Sequence, residues 1–477
     1  MQILIDIIKI LIQSLAQVLG LVFDLFRKDH GLKAYFGSKR VLSKKHTGYA
    51  VGHLRLSEAD SDKSKIVVGP TGTGKSTIFY MNTLFSSKGN FAVLDGSGEL
   101  LETCGPSLIE RGYNISVING NNADASTDGW NSLEALKTSS ENSKSFATIL
   151  INNAMKQTSD VFWNLSSINT IAFFVDYMFE ALPDEKHNLY TLKNLLQDFA
   201  GDQQSFDAKF ADTNTVSDAT YRAYLAFVAS DSKITTGVLA NCQAALGVFD
   251  NPDVAKVTST HTFSMEHFIT HQKQAVFVQN SVLSQDFLRP VNSLFFYFFF
   301  ETIMRQRRPK DAPMCYFLID EASSIRLGNM LPLCLVNLRK YRASICLGVQ
   351  SFQQLETLYS REQAITILQN CHVKVFLRNL DINFSKMISD MLGAYTYKDE
   401  KAETDRNRML MTPDMIRAMK EDQCLLFVGG KRGMLLKKLK PFYKIKKHVL
   451  LSELRMPQLA KVPLVMPSYN GEQSVED

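Results

Sequence analysis

No two cysteines are spaced C-x-x-C anywhere in the 477 residues. The seven present (Cys104, Cys242, Cys315, Cys334, Cys346, Cys371 and Cys424) are scattered, several of them inside apolar runs. This excludes a disulfide-stapled chain and reads as reduced, buried thiols in a cytosol-facing protein. His261, His267 and His271 lie close together, but no cysteine or carboxylate spacing completes a metal site around them. Charge of one sign is also scarce. The 53 basic and 48 acidic residues leave a net +5, too small to identify a nucleic-acid binder by itself. With only 25 glycines, 13 prolines and 10% aromatics, the chain is neither collagen-like nor mainly disordered. Long apolar runs are almost missing, and a polytopic membrane protein is thereby disfavoured. What remains is ordinary for a folded chain: 45% apolar and 21% charged residues, over a length of about three domains.

The one long apolar run is Ile3–Phe26. Gln2 just before it and its exceptions Asp6, Lys9, Gln13, Gln17, Gly20 and Asp24 advance by three or four residues and fall on one narrow stripe of a helix, and apart from Ser14 the rest is a wide apolar face. Such a helix spans a bilayer with its stripe against a partner, lies in the interfacial plane, or packs in a core. Arg27, Lys28, Lys33, Lys39 and Arg40 follow it; if the segment spans, that flank puts the rest of the chain in the cytoplasm.

Residues Gly69, Pro70, Thr71, Gly72, Thr73, Gly74, Lys75 and Ser76 read GPTGTGKS, fitting G-x-x-x-x-G-K-[ST]. A β-branched run, Ile66 to Val68, precedes the loop, and the apolar stretch Thr77–Phe85 follows it. Strand, loop and helix are the order a phosphate-binding loop requires. Backbone N–H groups and the helix N-terminus attract the anion; Lys75 reaches the β- and γ-phosphates and Ser76 ligates Mg²⁺. A second apolar run, Cys315–Ile319, ends in Asp320 and Glu321, which reads as a Walker B strand. There Asp320 orients Mg²⁺ and Glu321 polarises the attacking water. A third run, Ser344–Val349, ends at Gln350, either a γ-phosphate sensor or a strand cap. Arg339, in the cluster Arg339-Lys340-Tyr341-Arg342, is either an arginine finger or a solvated charge.

Eight short runs have strand character: Lys65–Val68, Phe91–Leu94, Ile115–Ile118, Ala275–Gln279, Cys315–Ile319, Ser344–Val349, Val373–Leu377 and Cys424–Val428. Several are apolar throughout, as in strands covered on both faces, and helical stretches alternate with them. The pattern predicts an α/β, doubly wound, RecA-like P-loop domain. Between Ser139 and about Thr262 the strand signal fades. Ile168–Leu182, Leu189–Phe199 and Thr215–Phe249 read as amphipathic helices, an inserted all-α domain. The expected division is 1–29 (N-terminal hydrophobic helix), 30–138 and 263–450 (nucleotide-binding domain), 139–262 (all-α insertion) and 451–477 (tail). Lys431–Lys447 holds eight basic residues and no acid, with Phe442 and Tyr443 interleaved. That suits DNA, an anionic membrane or a solvated edge.

Several spaced motifs together resemble the type IV coupling proteins of conjugation and type IV secretion, of the TraG/TraD type. Asp95-Gly96-Ser97-Gly98-Glu99 is similar to that family's D-P-K-G-E, and Trp130-Asn131-Ser132-Leu133 to its W-N-P-L. Asp160-Val161-Phe162-Trp163 is similar to its D-x-F-W. Asp320-Glu321 with Leu327-Gly328 resembles D-E-x-x-x-L-G with a longer spacer. Gln350-Ser351, Gln354-Leu355 and Tyr359 resemble Q-S-x-x-Q-L…Y-G, Asn370-Cys371 resembles N-C, and Met411 to Ile416 resembles L-x-T-P-D-E-I. Together these motifs cover about residues 35–445 in the family's order. Gly96, Ser97, Ser132 and Ser360 depart from the pattern, Ser360 standing where glycine is usual. The family also carries two N-terminal membrane helices where this chain shows one apolar segment.

The resemblance implies an ATP-hydrolysing motor, with ATP and Mg²⁺ bound by Gly69–Thr77 and Asp320. It implies a homo-hexamer around a central channel, in which Arg339 serves a neighbour's nucleotide. It further implies a relaxase–DNA cargo, type IV secretion channel proteins as partners, and a place at the bacterial inner membrane through Ile3–Phe26. A protein-only secretion ATPase and a docking hub with little turnover are the alternatives.

Overall fold

Runs of β-branched and aromatic residues form the strands here, because such side chains pack well on a pleated, covered surface. The structure is a computed structural model that describes residues 33–154, 161–281, 284–306, 308–309, 311–399 and 404–469. The apolar segment Ile3–Phe26 lies outside the described residues, and among those residues no helix is long and apolar enough to cross a membrane.

The described strands, in chain order, are β1 (Leu42–Ser43), β2 (Ala50–Val51), β3 (Leu54–Leu56), β4 (Lys65–Val68), β5 (Asn90–Asp95), β6 (Asn114–Asn119), β7 (Gln274–Gln279), β8 (Cys315–Ile319), β9 (Ala343–Val349), β10 (Val373–Phe376), β11 (Ala394–Asp399), β12 (Thr404–Met409), β13 (Cys424–Val428) and β14 (Met434–Leu436). All eight runs read as strands in the sequence are strands. Nine strands form one sheet in the order β14-β13-β10-β4-β9-β8-β5-β7-β6. The seven from β10 to β6 are parallel, while β13 and β14 add an antiparallel edge.

Strand β9 lies between the phosphate-loop strand β4 and the Walker B strand β8, in register with both. Val68 pairs Val349, and Ile319 pairs Leu347. Residues of one parity on the central strands, such as Val67, Val93, Leu318, Cys346 and Val375, bury into one continuous core. The opposite face meets the phenylalanine-rich helix Gln285–Arg305: Phe317 of β8 packs edge-on to Phe296, Phe299 and Phe300, with ring centroids 4.7 to 6.4 Å apart. Both faces are thus covered, which explains the all-apolar strands.

Between β6 and β7 every described element is helical. Val161–Ala181 and Leu189–Gly201 match two expected helices. Thr215–Phe249 is two longer helices, Asp218–Val228 and Ser232–Leu246, followed by a short turn. The break falls at Asp231, whose side chain accepts from Lys233 N at 2.8 Å and starts the second helix. Trp130 packs on Phe295 and Phe298, and Gly237 leaves room for the Trp163 ring, so both motif tryptophans act in packing.

The chain divides into two compact units, 38–379 with 419–477, and 1–37 with 380–418. The second contains the hairpin β11–β12 and the helices Ile382–Leu392 and Pro413–Arg417, tied by Ser389 Oγ donating to Met411 O at 2.6 Å. Ser360 joins the helices Phe352–Tyr359 and Arg361–Asn370 at φ +72°. This is glycine's backbone region, which explains why glycine is usual at this motif position. Serine is retained here as the N-cap of the following helix, accepting from Gln363 N.

Candidate nucleotide site

The loop after β4 turns through two left-handed glycines, Gly72 at φ +76° and Gly74 at φ +95°. A side chain at Gly74 meets Ile78 at 2.7 Å, and one at Gly69 meets Leu377 and Thr73 at the same distance. Backbone conformation therefore demands glycine at 72, space demands it at 69, and both act at 74. Helix follows at once, over Lys75–Tyr80 and then Met81–Ser86, and its inner face is buried. Thr73 Oγ1 donates to Pro70 O at 2.6 Å and ties the loop to itself.

Lys75 is 8% exposed and donates from Nζ to Gly69 O at 2.6 Å. Burial lowers its pKa, against the pull of the Asp320 and Glu321 carboxylates. Ser76 Oγ donates to Asp320 Oδ2 at 2.8 Å, joining the loop to the end of β8 across the intervening β9. Burial pushes the Asp320 carboxyl up to about 6, while the Ser76 hydrogen bond and the Lys75 charge hold it lower than burial alone would set it. Asp320 Oδ1 is buried without a hydrogen-bond partner. A hydroxyl and a buried carboxylate with an uncommitted oxygen are hard oxygen donors, and they fit Mg²⁺.

Glu321 is 9% exposed, and both oxygens of its carboxylate accept hydrogen bonds. Gln350 Nε2 donates to Oε2 at 2.6 Å. Gln354 Nε2 and Ser323 Oγ each donate to Oε1 at 2.8 Å. Ser351 Oγ accepts from Gln354 N and caps the helix Phe352–Tyr359, and this directs Gln354 back toward β8. Neither Gln354 nor Ser323 was singled out for a role in the sequence. The available signal was the four-residue spacing of Gln350 and Gln354 across a serine cap.

Lys75, Ser76, Asp320, Glu321 and Gln350 therefore converge, and with Thr71–Thr77 they line a cleft of about 640 Å³. Gly96, Ser97 and Glu99 form one wall. Arg378, Glu421, Tyr443 and Lys444 form another, where Arg378 pairs Glu421 at 2.9 Å. Asp95 is instead structural: it is buried, and its carboxylate accepts from Leu100 N and Leu101 N. Arg339 is not brought to this cleft. It precedes β9, whereas the phosphate loop follows the parallel β4, so the two lie at opposite ends of the sheet, about 20 Å apart at strand rise. There Arg339 lines another cleft with Asp62, Arg111 and Arg342.

A glycine loop between a parallel strand and a helix, a strand-end aspartate on the loop serine, and a caged glutamate beside them define a P-loop protein. The sequence model of the family described as type IV secretory system conjugative DNA transfer matches residues 25–462, and the chain belongs to that family. It is 21% identical over 435 residues to VirD4 of Rhizobium radiobacter, covering 86% of this chain and 61% of that protein. It is also 21% identical to VirD4 of Agrobacterium fabrum, covering 79% and 58%. The chain thus spans about three fifths of the length of these curated relatives. Among solved structures, the coupling protein TrwB lacking its N-terminal 70 residues, with sulphate, is similar at TM-score 0.68 and 15% identity over 88% of this chain and 96% of that one. TrwB with ADP and Mg²⁺ is similar at TM-score 0.66 and 15% identity, over 88% and 98%.

Proposed function

We propose that this chain is an ATP-hydrolysing coupling protein, which recruits a relaxase–DNA or protein cargo to a type IV secretion channel and drives its transfer. The observation that carries the reading is the caged Glu321 beside the Ser76–Asp320 pair. Binding nucleotide needs no second acid beside the Mg²⁺ ligands; positioning and activating a water does. The TrwB complex with ADP and Mg²⁺ supports the choice of ligand.

The loop N–H groups of Gly69–Thr77 and the Lys75 ammonium cradle the phosphates. Lys75 exchanges its bonds to the Gly69 and Pro70 carbonyls for charged phosphate oxygens, a stronger partner. Ser76 and Asp320 would hold Mg²⁺, and the ion would supply positive charge beside the phosphate oxygens. Glu321 orients the water and takes its proton, and Gln350 senses the γ-phosphate from the same carboxylate. Arg339 lies too far from its own cleft to act there, so we assign it to a neighbour's nucleotide in a hexameric ring. We read 139–262 as an inserted domain that meets cargo, and Ile3–Phe26 as the attachment to the bacterial inner membrane.

The test is steady-state ATP hydrolysis by the full chain in nonionic detergent, across protein concentration, with and without single- and double-stranded DNA. Turnover that rises with both supports a DNA motor completed between subunits. Turnover indifferent to DNA moves the assignment to protein cargo, and no turnover at any concentration overturns the enzymatic reading.

A further inference from the structure

The segment that walls the nucleotide cleft has a second cleft on its other side, of about 460 Å³. Its charged lining is entirely basic: Lys44, Arg55, Lys440, Lys444, Lys446 and Lys447, with His53 and His448 beside them. No carboxylate lines it, and none of the five lysines forms an ion pair among the described residues. Arg55 is held by the backbone carbonyls of His46 and Lys44 rather than by an acid.

The five lysine side chains are exposed, but the backbone that carries four of them is fixed. Buried Asn82, on the helix that follows the phosphate loop, donates to Lys440 O at 3.0 Å and meets His448 Nδ1 at 2.8 Å. The His448 ring stacks on Phe85 at 5.0 Å, and Phe442 packs there at 5.8 Å. The backbone is thus clamped at both ends of the run that carries the charges, so the chain path brings these lysines to one rim. Burial first, and the surrounding cations after it, lower the pKa of both histidines, His448 to about 4. His53 Nδ1 is buried without a partner.

We propose that this cleft binds the phosphate headgroup of an anionic phospholipid. Nucleic acid fits less well. Single strands are held by aromatic platforms as well as charge, and no Phe, Tyr or Trp lines the cleft. Tyr443 faces the nucleotide cleft instead, and Phe442 lies on Phe85. The cleft is also a single concavity rather than a track. Lys44 follows the apolar run Ile3–Phe26 by 18 positions, and the choice of a lipid rests on the proposed reading of that run as a membrane attachment. Basic residues on the cytoplasmic side of a membrane segment attract anionic lipid. The site does not depend on hydrolysis at the phosphate loop, and whether Ile3–Phe26 inserts is tested separately by vesicle flotation.

The experiment uses the full chain in nonionic detergent and reads lysine acylation rates by mass spectrometry. The probes are monomeric dihexanoyl-phosphatidylglycerol, dihexanoyl-phosphatidylcholine, inorganic phosphate and a single-stranded oligonucleotide. Phosphatidylglycerol is expected to slow labelling of Lys440, Lys446 and Lys447 by about threefold or more, and phosphatidylcholine to leave it unchanged. The variant K44Q/K446Q/K447Q should lose the protection of Lys440 while its ATP turnover stays at the wild-type rate. Equal protection by inorganic phosphate or phosphatidylcholine, protection by the oligonucleotide as strong as by phosphatidylglycerol, or no protection at all overturns the assignment.

Discussion

Gln354 Nε2 donates to Glu321 Oε1 at 2.8 Å, while Gln350 Nε2 takes the other oxygen at 2.6 Å. Two amides from one strand–helix junction thus hold one carboxylate from the adjacent strand. A charged hydrogen bond of this kind contributes about 1.5–3 kcal/mol. Its loss in Gln354→Ala leaves Oε1 to Ser323 alone and loosens the carboxylate without touching the phosphate loop. Turnover should fall about 10- to 100-fold at nearly unchanged KM for ATP, with Gln354→Glu no better. A variant whose KM rises while kcat holds would show that Gln354 acts on nucleotide binding instead.

Asp320 makes the nucleotide-free chain pH-sensitive. Burial puts its carboxyl at about 6 in the folded chain, against 3.8 for the free group. The folded state therefore binds more protons than the unfolded one between those values, and stability falls as pH rises through them. The full effect is about 3 kcal/mol, complete above pH 6 and absent below pH 4. Asp320→Asn should accordingly be the more stable protein at pH 7.5 and no more stable at pH 3.5. Chemical denaturation at both pH values, without Mg²⁺, checks this; a difference independent of pH would refute it.

Arg339 and Lys75 belong to opposite ends of the sheet, so defects in them should complement. Lys75→Ala lacks a working cleft but keeps the arginine, and Arg339→Ala keeps the cleft. Each alone should lose at least about 10²-fold in turnover with the fold intact by circular dichroism. Mixed rings should recover part of the activity, because some interfaces pair an intact cleft with an intact arginine. Full activity of Arg339→Ala alone would make the residue a solvated charge.

Ser360 holds φ +72° at a junction where the family pattern has glycine. Strain of that kind costs on the order of 1–3 kcal/mol, whereas loss of a serine cap to glycine costs a few tenths. Ser360→Gly should raise stability by about 1 kcal/mol, read as a higher denaturation midpoint at unchanged slope. A lower midpoint would mean that the cap to Gln363 outweighs the strain.

The signals legible in the chain were local. The run Gly69–Ser76 carries its own geometry, since left-handed glycines and a following helix are fixed by neighbouring residues. The eight apolar runs became strands because burial on both faces leaves a continuous signature. The edge strands gave less: β14, Met434–Leu436, is three residues long and β11–β12 is largely polar, so neither differs from loop by pattern. The helix expected over Thr215–Phe249 failed at Asp231, where a side-chain cap competes with the periodicity.

By itself, the sequence determined the glycine-rich loop Gly69–Ser76, the apolar strand that ends in Asp320 and Glu321, and the order of elements that the family resemblance rests on. Each is a contiguous pattern whose physics lies within a few residues. The tertiary structure alone decided that β9 lies between β4 and β8, that Gln354 reaches Glu321, that Arg339 faces away from its own cleft, and that Lys44 and Arg55 join Lys440–Lys447 around one cavity. Those relationships join residues far apart along the chain, and strand pairing and helix packing set them, not local propensity.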